Sequence, residues 1–197
     1  MDQFTQTVER RQCDVLVIGG GPAGSTVAPL LAEKGYKVVM LEKARHPRFH
    51  IGESLLPANL PLFERLGVAD EVKAIGMEKW GAEFVSMFHD NTSQVFHFSE
   101  AWNKSMPYAY QVKRDEFDTV LIRNAARKGV EVHEGCKART IDFLPDNSVA
   151  IRAAQDDGHE TEWQARFVVD ASGRDTFLAN RFRIKHRNPK HNSSAIY

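Results

Sequence analysis

Three glycines constrain this chain more than any other feature. Gly19, Gly21 and Gly24 stand at the G-x-G-x-x-G spacing, directly after the short apolar run Asp14 to Ile18. In such a loop one glycine permits a tight turn, one lets backbone amides approach a pyrophosphate, and one lets helix and sheet pack closely. The run before it is rich in Val and Ile, the pattern of a strand buried on both faces of a parallel sheet. Pro22 suits the first helical turn, where its missing N–H has no intrahelical partner anyway, and Ala23 completes the loop. The helix is expected to reach about Lys34 and stop at Gly35, with its positive end aimed at an anion. A second strand, Lys37 to Leu41, then delivers Glu42. That acid lies 18 residues beyond Gly24, near the roughly 20 expected for a carboxylate that binds a ribose hydroxyl pair. Strand, loop, helix, strand and acid together predict a dinucleotide site, whereas an ordinary tight turn needs only the glycines. Pro29 is the irregularity: inside the expected helix it cannot donate to the carbonyl of Ser25, and it predicts a kink.

With 197 residues, 42% of them apolar, the chain can build one sizeable domain with a core. Its 26 basic and 26 acidic residues leave no net field to hold a nucleic acid or an anionic membrane, so neither is an expected partner. No apolar run approaches the roughly 18 residues that span a bilayer. Residues 1–12 read as a tail without the apolar core of a signal peptide, so a cytoplasmic location is expected. Cys13 and Cys136 have no metal-ligand or redox spacing, and inert thiols with no metal site are expected.

Beyond Glu42 comes a basic loop with Lys43, Arg45, His46, Arg48 and His50, placed to edge an adenosine or its phosphates. Gly52, Glu53 and Ser54 lead into a helical stretch interrupted by Pro57 and Pro61 and stopped at Gly67. Val68 to Ile75 reads as a short helix. Ala82 to Phe88 and Gln94 to Phe98 read as strands paired around Asp90 and Asn91, and Tyr108 to Val112 as another. Arg114 to Lys128 is a helix with Phe117, Val120, Leu121 and Ala125 on its apolar side, acids Asp115, Glu116 and Asp118 early, and Gly129 after it. Val130 to His133 returns as a strand. Cys136 to Leu144, Ser148 to Ala154 and Glu160 to Ala165 read as a three-stranded antiparallel meander, and Phe167 to Asp170 as a further buried strand.

This order of signals resembles the N-terminal part of FAD-dependent monooxygenases of the aromatic-hydroxylase type, and more closely the flavin-dependent halogenases that share their fold. Four motifs carry the resemblance: Gly19 to Glu42; Phe49-His50-Ile51-Gly52-Glu53-Ser54-Leu55-Leu56-Pro57; Val112 to Asp118; and Val168-Val169-Asp170-Ala171-Ser172-Gly173-Arg174. The second is the most specific. The implied fold is α/β, a Rossmann-like FAD-binding domain with a mainly parallel sheet, the meander as crossover, and part of a substrate-side β layer. Residues 13–78 would form the nucleotide unit, 79–112 the substrate-side strands, and 113–197 the return to the core. By resemblance, the cofactor-binding residues are Gly19, Gly21, Pro22, Ala23, Gly24, Glu42, Lys43, Arg48, Gly52, Ser54, Arg114 and Asp170.

The resemblance also singles out Lys79, in Gly76-Met77-Glu78-Lys79-Trp80-Gly81-Ala82, as the catalytic lysine between flavin and substrate. Met77 replaces the family's usual aromatic, and the lysine lies one residue nearer the first glycine. It implies FAD reduced by a partner flavin reductase, a halide co-substrate, and an electron-rich acceptor, aromatic or otherwise, free or carrier-tethered. The W-x-W-x-I-P motif and the later flavin motif of the family do not occur in the 197 residues. The chain therefore reads as an N-terminal part, expected to lack turnover alone. An FAD-dependent hydroxylase or prenyl reductase and a non-catalytic dinucleotide-binding module are the alternatives.

Overall fold

The computed structural model describes residues 8–186 and 188–190; the first seven residues of the expected tail and the closing stretch 191–197 lie outside them. Strand β1 (Glu9–Ile18), helix α1 (Pro22–Ala32) and strand β2 (Val38–Glu42) form the opening unit. Helices α2 (Leu60–Leu66) and α3 (Ala69–Ile75) precede the short strand β3 (Met77–Lys79). The hairpin β4 (Gly81–Ser86) and β5 (Thr92–His97) and strand β6 (Ala109–Gln111) lead to α4 (Arg114–Arg127). Strands β7 (Glu131–Glu134), β8 (Cys136–Phe143), β9 (Val149–Gln155) and β10 (Glu160–Asp170) follow, and then α5 (Phe177–Arg181).

Six strands make one sheet in the order β7-β2-β1-β10-β9-β8. The four from β7 to β10 run parallel, and β9 and β8 are antiparallel additions. Alternation along β1 and β2 sorts their side chains onto two faces. Val15, Val17, Val38 and Met40 pack under α1 and α4 against Ala28, Ile122 and Ala125. Leu16, Ile18, Val39 and Leu41 pack on the other face with Ile141, Ile151 and Trp163, because the sheet curls until β8 lies near β2. Burial on both faces explains the uninterrupted apolar run, each such side chain stabilising the fold by about 1.5–3 kcal/mol. A third cluster, with Phe63, Leu66, Val72, Tyr110, Phe117 and Leu121, joins α2, α3 and β6 to the outer side of α4.

The structure departs from the sequence expectations at several places. Glu9 to Gln12 are strand rather than tail: their backbones pair with Thr161 to Gln164, while three of the four side chains remain exposed. The last meander strand and the strand to Asp170 are one element, β10. Its first half pairs with both β9 and β1 and its second half with β1 alone. Helix α1 ends at Ala32, earlier than expected, and runs through Pro29 without a break. Met77 to Lys79, to which the sequence assigned no element, is strand β3, paired with β6.

Both cysteines sit in the cluster beneath the meander. Burial pushes the Cys13 thiol up to about 12 and that of Cys136 up to about 11. Since only a thiolate attacks a disulfide reagent, Ellman's reagent at pH 8 is expected to titrate neither thiol in the native protein and both in denaturant. A fast native thiol would contradict this packing.

Candidate functional site

The glycine loop joins β1 to α1, and its shape is set by two close approaches. Gly19 has φ +105°, a conformation that L side chains rarely adopt. A Cβ on Gly24 would lie 1.9 Å from the Gly19 carbonyl oxygen. Ser25, fully buried, donates from its hydroxyl to the Gly20 carbonyl at 3.0 Å and braces the loop from below. Gly21 is the N-cap of α1, and no side chain caps that end and no acid stands in the first turn. A helix N-terminus left so is a site for an anion.

Glu42 ends β2 beneath this loop, 4% exposed. Its carboxylate accepts from the Gly20 N–H at 2.6 Å and from the Ala44 N–H at 2.8 Å, so it ties the glycine loop to the basic loop that follows. Arg48, from that second loop, lies over the mouth of the first. Its Nε is 3.8 Å from Glu42 and its Nη2 3.4 Å from Asp118. The Nε is buried without a hydrogen-bond partner. An unpaired guanidinium donor beside an uncapped helix end fits the pyrophosphate of a dinucleotide. The loop is anchored at its other end by His46, whose backbone N–H and Nδ1 meet Glu134 at 2.7 and 2.9 Å. Burial would push Glu134 up, but Arg123 and His46 together hold it below the usual carboxylate range.

Arg114 opens α4 and reaches back to the same loop. It forms a two-point contact with Asp118, at 2.8 and 3.0 Å, and donates to the carbonyls of Ile51 at 2.7 Å and Gly52 at 3.3 Å. With Gly52, Pro22, Thr26 and Phe117 it lines a cleft of about 80 Å³ beside the start of α1. Asp118 is the member that sequence reading assigned only to the helix dipole. It is fully buried between two arginines. The missed signal was its place among Phe117, Leu121 and Ile122, on the buried face of α4.

The other expected residues separate into two places. Lys43 pairs with Asp175, an exposed contact that holds the Asp175 carboxyl below its ordinary value. Asp170 commits its carboxylate to the backbone N–H groups of Ser172 and Leu178, at 3.0 and 2.7 Å, and to the Ser172 hydroxyl. It orders the turn whose Ala171 carbonyl a Cβ on Gly19 would strike at 2.4 Å. Lys79 and Ser54 lie together. The ammonium donates to the Ser54 hydroxyl and to the Leu55 carbonyl, the latter at 2.8 Å, and its Nζ stands 5.6 Å from the centre of the Phe98 ring.

Residues 12–195 match the family model described as FAD binding domain. The chain belongs to that family. This FAD-binding domain is 38% identical over 177 residues to a flavin-dependent halogenase of Armillaria mellea, covering 88% of this chain and 34% of the relative. It is 34% identical over 200 residues to a 1H-pyrrole-2-carbonyl-[peptidyl-carrier protein] chlorinase of Pseudomonas fluorescens, covering 93% and 44%. Among solved structures, a flavoprotein/dehydrogenase from Cytophaga hutchinsonii superposes with a TM-score of 0.81 at 37% identity, covering 88% of this chain and 42% of that one. The FAD-binding domain thus spans between a third and a half of the length of these proteins. The fold is the Rossmann-like FAD-binding one expected. No helix among the described residues is long and apolar enough to cross a membrane.

Proposed function

We propose that this chain provides the FAD-binding part of a flavin-dependent halogenase, which uses reduced FAD, oxygen and a halide ion to halogenate an electron-rich small molecule. The observation that carries the reading is the meeting of Lys79 with Ser54 and Leu55. The two segments were singled out separately and lie 25 residues apart, yet their side chains share one place. In this assignment the N-terminus of α1, with Gly21, Pro22 and Ala23, and the free Nε of Arg48 hold the pyrophosphate, and Glu42 faces the ribose. Gly52 and Arg114 border the path toward the ring system. FAD supplies the activation of oxygen. The chain binds and orients, and Lys79 holds the hypohalous oxidant by donating hydrogen bonds, or, as the neutral amine, takes its halogen as a haloamine while the oxygen–halogen bond breaks and the departing hydroxide leaves with the amine proton as water, beside the acceptor. The acceptor is aromatic or otherwise electron-rich, free or carrier-tethered, a flavin reductase brings the electrons, and the setting is the cytoplasm.

Lys79→Ala in the full-length protein, supplied with reduced FAD, oxygen and bromide, is expected to lower halogenated product by roughly 10²-fold or more, the scale of losing a positioned proton-transfer group. FAD affinity should change by no more than about 0.5 kcal/mol, as for a residue away from the nucleotide. Lys79→Arg should not rescue, because a guanidinium keeps its proton and differs in shape. Wild-type product yield from Lys79→Ala removes the lysine from the mechanism. The competing reading is a reductase or hydroxylase, favoured by the dehydrogenase designation of the Cytophaga hutchinsonii structure. Consumption of a nicotinamide cofactor without added reductase would decide for it.

A further inference from the structure

The loop carrying Ser54 and the strand carrying Lys79 flank the same short strand. Ser54 bridges Gln111 of β6 on one side, and β3 pairs with β6 on the other, with Met77 opposite Gln111 and Lys79 opposite Ala109. The N–H of Leu55 donates to the Tyr110 carbonyl and that of Val112 to the Glu53 carbonyl, both at 3.0 Å. The Ser54 backbone is thereby fixed on both sides. Arg114 holds the preceding Ile51 and Gly52 carbonyls. The lysine thus reaches across β6 to a hydroxyl on a fixed loop.

The two oxygens that Lys79 meets differ in what they can do. An ammonium has three donors and no acceptor; the Leu55 carbonyl only accepts, whereas a serine hydroxyl accepts or donates. When the lysine is an ammonium, both oxygens accept from it. When it has given its proton to solvent, the carbonyl keeps one N–H, and the hydroxyl can turn to donate into the freed lone pair. Of these two partners only Ser54 can both accept from the ammonium and donate to the lone pair of the neutral amine.

We propose that Ser54 is a positioning residue for Lys79 rather than a contact of the cofactor, holding the amine in one place while its proton comes and goes. The proposal rests on the reading of Lys79 as the halogen-relaying group only for its consequence in turnover; the contact itself is tested apart from activity. Competitive acylation of the 197-residue chain at pH 8, with labelling of each lysine read by peptide mass spectrometry, measures how firmly the ammonium is held. A hydrogen bond to a charged group is stronger than one between neutral partners. Removing the hydroxyl therefore costs the ammonium more than the neutral amine. Ser54→Ala is expected to raise labelling at Lys79 by about three- to ten-fold relative to the other lysines, and Ser54→Thr, which restores a hydroxyl, to return it toward the wild-type rate. Ser54 is exposed, so the chain should melt as the wild type does. Equal Lys79 labelling in wild type and Ser54→Ala, or no return with threonine, overturns the proposal. Loss of the relay reading shows instead as full product from Lys79→Ala, a result that leaves the labelling data unaltered.

Discussion

Gly24→Ala is expected to lower the stability of the chain by about 3 kcal/mol, the upper part of the usual cost of overpacking a well-filled site, and to lower its melting temperature by roughly 6–12 °C. The new Cβ would stand 1.9 Å from the Gly19 carbonyl oxygen, which is backbone and cannot swing aside. Gly19 has no room to retreat. Its N–H is bound to the Leu41 carbonyl at 2.8 Å, and the space beyond its own Cα is filled by the Ala171 carbonyl. Helix α1 must therefore lift from the sheet or the loop must deform. Either movement spoils the amide arrangement at the helix start. FAD affinity should then fall by roughly 10²-fold, the equivalent of about 3 kcal/mol. Gly21→Ala is the control. Its Cβ would come no nearer than 3.5 Å to the flexible end of Arg48, and its backbone φ of −75° suits any residue. Stability should stay within about 0.5 kcal/mol of wild type. A Gly24→Ala protein that melts with the wild type and binds FAD normally would show that the close approach is not real.

That same contact explains why the opening unit was legible in sequence. Where only glycine fits, the residue type itself reports the geometry, and the flanking apolar runs report burial on both faces of β1 and β2. Other parts gave weaker or misleading signals for physical reasons. Along β10, Thr161, Trp163 and Ala165 alternate inward, while Val168 and Val169 turn to opposite clusters and Phe167 is exposed. The change of pattern marks a change of neighbours, from a strand flanked on both sides to one flanked on one, and it reads as two strands. Glu9 to Gln12 join the sheet through backbone pairing, which leaves no mark on side-chain polarity. The nearness of Lys79 to Ser54 depends on β6, whose paired residues lie 30 positions beyond Lys79 (Ala109) and 57 beyond Ser54 (Gln111), so neither segment's own spacing reveals it. Asp118 was placed by its early position in α4, although a carboxylate among Phe117, Leu121 and Ile122 must be buried and so must have found cations.

Asp118 should accordingly be the most costly single charge in the described part of the chain. Its carboxylate is fully buried, and its partners Arg114 and Arg48 have side chains only 10% and 17% exposed. Removing one member of such a group leaves the others desolvated and unpaired, at a cost of about 3–5 kcal/mol. Asp118→Ala is therefore expected to lower the melting temperature by roughly 6–20 °C. The loss should persist at high salt, since buried pairs are screened far less than exposed ones. The damage should also spread to function, because Arg114 grips the Ile51 and Gly52 carbonyls and Arg48 covers the glycine loop. With the carboxylate gone, both guanidiniums would turn toward water and release the segment between His46 and Ser54. Pairing the change with Arg114→Met separates charge from shape. If the cost comes from stranded cations, the double variant should be more stable than Asp118→Ala alone, as when a buried ion pair is replaced by apolar groups of similar volume. If instead the double variant shows the sum of the two single losses, the arginine and the aspartate act independently, and the loop is held by contacts other than this one.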